Sequence, residues 1–145
     1  MRSPSFASAQ VRERQWGGLT VEFALVFPLV CLLLFGMIDG SRMVIARCML
    51  SYAVIVGARA GVAKSNSIPA VQTATAAAAP MLGLSSGTVV VQLNGVAATT
   101  TAWSTRSGGD TVTVSYNGYT FRPAAGSFTR MTTKTFNASC IKTIP

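Results

Sequence analysis

The sequence predicts an α+β protein: a long N-terminal transmembrane helix continues into an exported domain built from a short helix and a small antiparallel β-sheet. Three observations carry this. From Leu19 to Ile38 the chain runs apolar with Glu22 as its only charge, and about 20 such residues span about 30 Å of hydrocarbon at ~1.5 Å per residue. Met43 to Ala63 is apolar again but carries Arg47 and Arg59, so it reads as the same helix continuing outside the membrane. After Thr88 the pattern switches to β-branched runs punctuated by Asn-Gly and Gly-Gly-Asp, which are strand and turn signals.

Four segments follow in order. Residues 1–17 form a basic leader with Arg2, Arg12 and Arg14 against Glu13. Nothing in it builds a core, and its positive charge beside an apolar span argues that this end stays cytoplasmic. Trp16 has the chemistry of an interfacial anchor.

Residues 18–39 form the span. A lone carboxylate in hydrocarbon is a functional hypothesis, because an ionised side chain there costs several kcal/mol. The plainer reading is that Glu22 sits at headgroup level and is tolerated. Pro28 removes one backbone hydrogen bond, which a membrane helix accommodates. Gly36, Asp39 and Gly40 predict a bend or loosened turn at the outer end.

Residues 40–64 continue the helix outside the membrane. A second span would bury Arg47 and Arg59 at roughly 2.5 kcal/mol or more each, and Asp39-Gly40-Ser41 is too short for an easy hairpin. Ala53, Gly57 and Gly61 recur every four residues, a ridge that lets another surface approach closely. That surface is either the chain's own C-terminal domain or a neighbouring subunit; the residues leave both open.

Residues 65–145 form the exported domain. Ser65-Asn66-Ser67 breaks the helix, and IPAVQTATAAAA predicts a short helix with proline in its first turn. Thr88–Leu93 predicts a strand and Asn94-Gly95 a tight turn. Val96–Ala102 predicts a second strand leading into Trp103, and Thr111–Tyr116 a half-buried one. Asn117-Gly118 predicts another turn, and Phe128–Cys140 one or two final strands. The sum is three to five antiparallel strands against the long helix.

The N-terminal region also resembles a known family. Gly17, then GLTVEF with Glu22 five residues on and Phe23 next, is similar to the class III signal of type IV-pilin-like proteins. VEFAL, FGMIDGSR and VGARA, in that order, resemble the TadE-like family, the minor pilins or pseudopilins of tight-adherence (Flp-type) pilus systems. The similarity runs from about Arg14 to Lys64 and thins beyond. An ordinary secretory signal is cut after its apolar region. This resemblance implies a cut before it, between Gly17 and Gly18, by a prepilin peptidase. It implies a pilin-like spine-and-sheet fold, with Glu22 and Phe23 setting register in assembly. The new α-amino group of one subunit would then pair with Glu22 of its neighbour, each offsetting a charge that is costly alone in lipid.

The implied partners are that peptidase, other pilins or pseudopilins of the Tad system, the inner-membrane assembly platform and the lipid bilayer. The implied location is the cytoplasmic (inner) membrane, crossed once, with the C-terminal domain periplasmic or extracellular, or carried in a pilus. Two other readings stand beside this one: an uncleaved single-pass anchor presenting a β-rich binding domain, and a two-span subunit of a transport complex.

Composition narrows the chemistry. Of 145 residues half are hydrophobic, and the mean hydropathy is +0.45. The net charge is +8, but its cations stand singly with no basic block or aromatic-interleaved patch, so nucleic acid is not an expected partner. The chain has no His and only four acids, Glu13, Glu22, Asp39 and Asp110. No carboxylate pair, triad, metal cluster or phosphate loop can be assembled, so no enzyme activity, metal or cofactor is expected. Of three cysteines, Cys31 falls mid-span; Cys48 and Cys140 either join in a disulfide tying the C-terminus to the helix or remain free thiols.

Overall fold

A computed structural model describes residues 7–124 and 132–145, with side chains described from Gly18 onward. The first six residues and the segment 125–131 lie outside the described residues, and with them the start of the strand expected from Phe128. One helix, α1, Ala7–Val62, dominates the chain. It passes through Gly36, Asp39 and Gly40 without interruption. The loosened turn expected there is absent, because the C-terminal domain grips the helix at that point: Asp39 is only 1% exposed and packs against the domain.

Helix α2, Ile68–Ala77, starts where Ser67 caps it by accepting a hydrogen bond from the Ala70 N–H at 3.4 Å, with Pro69 in its first turn. Four strands follow in the sheet order β2-β1-β3-β4: β1 Val89–Leu93, β2 Val96–Ala97, β3 Thr111–Phe121 and β4 Lys134–Thr143. Every pairing is antiparallel. Asn94 (φ 51°) and Gly95 (φ 81°) both take positive φ, as a two-residue hairpin turn of the primed type requires, and Leu93 pairs with Val96 across them.

Two expectations need correction. The second strand is only two residues long, because Thr99 caps a short helix instead, α3, Thr100–Ser104, accepting a bond from the Ala102 N–H at 3.3 Å. This helix carries Trp103 into the core. Asn117-Gly118 is also not a turn that ends a strand. It is a bulge inside β3, where the register to β4 shifts between Tyr116 and Tyr119. Gly118 adopts φ 85°, and its N–H is satisfied by Asn137 Oδ1 on β4 at 2.9 Å.

The architecture is two layers. On the sheet's inner face Val89, Val91 and Leu93 of β1 and Val112, Val114 and Tyr116 of β3 are buried, at every second position. They meet Leu50, Ala53, Val54 and Ala58 of α1 and Val71 of α2. Strand β3 runs antiparallel to α1: Val112 faces Gly61, Val114 faces Gly57, and the backbone just past Phe121 reaches Asp39. The lengths agree, since eleven strand residues cover about 34 Å and the helix from Asp39 to Gly61 rises about 33 Å. The domain therefore covers the C-terminal part of α1 and leaves the Gly18–Ile38 stretch bare.

Candidate functional site

The bare part of α1 is one half of the site. From Leu19 to Ile38 the large apolar side chains are exposed around the whole helix, Leu25 at 75% and Phe23 at 66%. The described helix from Gly18 to Val62 is long and apolar enough to cross a membrane once, and its most apolar window is not buried by the rest of the chain. A helix that is apolar all round belongs in lipid or among other helices. Glu22 is exposed on this surface, and among the described residues no cation pairs with it. It lies four residues beyond Gly18, one turn along the same face, and nothing lies within 4 Å of where a Gly18 side chain would begin. Phe23 packs on Phe27 with ring centroids 5.5 Å apart. Gly17 falls within the helical backbone.

The packing ridge turns inward. Ala53, Gly57 and Gly61 are all buried. A side chain at Gly57 would collide with the Thr75 hydroxyl, and one at Gly61 would come within 2.7 Å of Val112 Cγ1 and 3.4 Å of Trp103. The close approach these residues permit is the one the chain uses for its own α2 and β3. The opposite face carries a feature the sequence reasoning passed over. Val44 (58% exposed), Cys48, Tyr52 (57%), Ile55 and Arg59 recur at helical spacing and stay uncovered. This stripe continues the apolar surface of the bare span along the helix, and the i, i+4, i+8, i+11, i+15 recurrence was the signal that could have revealed it.

All three cysteines are free thiols. Geometry keeps Cys48 and Cys140 apart: Cys140 pairs with Val114, which faces Gly57, nine residues above Cys48 on α1. Nine residues are about 13 Å of helix rise, whereas a disulfide needs Cα atoms within about 7 Å. Of the two alternatives, the structure shows the unpaired thiols.

Two polar clusters fix the domain to the helix. At the lower end, Asp39 Oδ1 accepts the Ala124 N–H at 3.0 Å and lies 3.5 Å from the Arg42 guanidinium. Arg42 in turn sits 6.0 Å from the Phe121 ring. An apolar groove of about 170 Å³ opens beside it, lined by Ile45, Met49, Met81 and Tyr119 among others.

At the upper end, Arg106 is 8% exposed and closes the C-terminus of α1. It donates to the carbonyls of Trp103 (2.6 Å), Ala63 (2.8 Å) and Asn66 (3.1 Å) and stacks 4.3 Å from the Trp103 ring. A cation on these orphan carbonyls is favoured by the helix dipole. Burial lowers the Arg106 pKa, but a guanidinium keeps its charge in proteins. Trp103 Nε1 donates to the Asn66 carbonyl at 2.8 Å, and Asn66 Nδ2 to the Ala60 carbonyl at 2.9 Å. Sequence reasoning counted Asp39 only as a helix-weakening position and Arg106 only as a scattered cation.

On the exposed turn beside β3, Asp110 accepts from Asn94 Nδ2 and the Ser107 N–H, both at 2.8 Å. These bonds, the Asn94 one foremost, hold its pKa below the ordinary carboxylate value. Among the described residues no three His, Cys, Asp or Glu side chains gather as a metal site would require.

Comparison with known proteins returns one family. Residues 17–59 match the model of the TadE-like protein family. No curated protein and no solved structure was found to match the chain. The matched residues begin at the glycine pair, take in Glu22 and the whole bare span, and end within the packed ridge; over this stretch of α1 the chain is similar to the TadE-like family.

Proposed function

We propose that the chain is a minor pilin or pseudopilin of a Tad (Flp-type) pilus system, cut by a prepilin peptidase between Gly17 and Gly18 and then engaged in pilus assembly. The observation that carries this reading is the state of Gly18–Ile38. Its large apolar side chains are exposed on every side, and its one carboxylate, a single helical turn from the proposed new N-terminus, has no cation paired with it among the described residues. A permanent anchor has no use for that carboxylate, which costs about 3 kcal/mol or more in hydrocarbon. An assembling subunit does, because the α-amino group of a neighbour neutralises it only in the assembled state.

In this reading α1 is held in the inner membrane with the leader cytoplasmic and the β-rich domain outside. Catalysis has no part in it; the chain is a substrate and a building block. The partners are the peptidase, the other Tad pilins and the assembly platform. The test is the intact mass and N-terminal sequence of the chain from membranes, with and without the peptidase. A mature chain starting at Gly18, lost in Gly17→Val, supports the reading. A chain that keeps residues 1–17 whether or not the peptidase is present overturns it in favour of an uncleaved anchor presenting a binding domain.

A further inference from the structure

The lower end of the exported domain gathers cations where the hydrocarbon ends. Asp39 directly follows Ile38, the last residue of the bare apolar run. Its bond to the Ala124 N–H therefore pins the end of β3 at the level of the membrane surface. Arg42 stands three residues further along α1, about 4.5 Å higher, against Phe121. The β-ladder pairs Phe121 with Lys134, and Arg122 follows Phe121 in the chain. Arg42, Arg122 and Lys134 thus gather at one end of the domain, at the level where β3 ends beside α1. All three are exposed, and they lie within the headgroup layer, which adds roughly 5–8 Å on each side of the hydrocarbon.

Among the described residues of this cluster Arg42 alone has a carboxylate beside it, Asp39 at 3.5 Å. Of the four acids, Glu13 and Glu22 lie on or before the inner end of the span, and Asp110 sits at the far end of β3. Asp39 is buried and already turned toward Ala124 and Arg42. Among the described residues, neither Arg122 nor Lys134 meets a carboxylate. Three exposed cations against one buried carboxylate, at the outer end of the apolar run, leave a net positive surface that is complementary to anionic lipid.

We propose that Arg42, Arg122 and Lys134 form a phosphate-binding collar that seats the exported domain on the headgroups of anionic phospholipid in the outer leaflet of the membrane that α1 spans. The collar holds the domain at a fixed tilt over its own helix and retains the subunit in the bilayer before assembly. The proposal rests on the single-span reading of α1 but not on cleavage or on pilus assembly.

The experiment uses the full chain in nanodiscs of phosphatidylcholine alone or mixed with phosphatidylglycerol. The ratio of the two lipids retained on the protein is read by native mass spectrometry, and the melting temperature is read alongside it. The expected result is phosphatidylglycerol enrichment of about fivefold per engaged cation over the bulk mixture. It should weaken with salt, and phosphatidylglycerol should raise the melting temperature. Arg122→Gln combined with Lys134→Gln should remove most of the enrichment while melting like the wild type in phosphatidylcholine alone. Equal retention of the two lipids overturns the proposal. So does enrichment that survives in the double variant, since the leader's Arg12 and Arg14 would then be its source. An equal rise in melting temperature from inorganic phosphate in phosphatidylcholine discs would show a general anion site and overturn lipid as the occupant. Failure of the chain to enter phosphatidylcholine discs at all would overturn the single span itself.

Discussion

Glu22, Arg106 and Asp110 show three uses of charge in a chain that has little of it. Arg106 trades solvation for the Ala63 and Asn66 carbonyls just past α1, the Trp103 carbonyl of α3 and a stacked indole. Replacing it by Met keeps the apolar packing but removes three charge-assisted bonds, while the Ala63 and Asn66 carbonyls keep the Asn66 N–H and the Trp103 indole N–H. The expected loss is about 2 kcal/mol or more, because bonds from charged donors contribute roughly 1.5–3 kcal/mol each and buried unpaired groups are costly. A thermal melt of the detergent-solubilised chain measures it. Asp110 works at the surface. Its folded-state pKa is depressed by Asn94 and Ser107, so its stabilisation is fully present above the unfolded value, near 3.9. It is lost as pH falls through the lower folded value. Asp110→Asn should therefore melt below the wild type at pH 7, and the gap should close on acidification below about pH 4. Glu22 has no such internal partner among the described residues, which is why its role is sought outside the chain.

At the scale of elements, the decisive contact is between α1 and the pair α2–β3. Gly57→Ala would press a methyl group against the Thr75 hydroxyl, and overpacking of this kind costs about 1–3 kcal/mol. Combining it with Thr75→Ala should recover part of that loss, a coupling that a double-mutant cycle in the same melt reads directly. The cysteines give a second check. Because β3 holds Cys140 at the height of Gly57, both Cys48 and Cys140 should alkylate in the intact chain without reductant, Cys48 faster because it is exposed; mass spectrometry counts the adducts.

These contacts also show what the sequence could reveal. The apolar run, the Ala53-Gly57-Gly61 spacing and the Asn94-Gly95 turn are local patterns, and local patterns are legible. Whether the ridge met another subunit or the chain's own sheet depended on how β3 packs along α1, a long-range choice without a local signature. The same reason hid Arg106, two of whose three acceptors lie 43 and 40 residues earlier. It also hid the bulge at Gly118, since Asn-Gly signals a turn until a longer partner strand supplies Asn137 to satisfy it. Thr99 outweighed the strand pattern after Val96 because capping and the burial of Trp103 act together.

At the scale of the whole molecule, α1 is a spine with two environments. Its upper half completes the core of a small α+β domain, and the large apolar side chains of its lower half stay exposed among the described residues. In the proposed reading the bare span with its single carboxylate is half of an interface, and the uncovered stripe from Val44 to Arg59 extends that interface along the helix. The account therefore places the missing half on neighbouring subunits, with the contact between Glu22 and the new N-terminus at its centre.

The most direct test is zero-length coupling of carboxylate to amine, by a membrane-permeant carbodiimide, in membranes containing the peptidase and the pilus machinery. An amide forms only where the two groups touch. The account predicts a covalent dimer whose cross-linked peptides join the α-amino group of Gly18 to Glu22, absent in Gly17→Val, which cannot expose that amine, and in Glu22→Gln, which lacks the acid. A correctly processed chain that yields no such cross-link, to itself or to another pilin of the system, would contradict it.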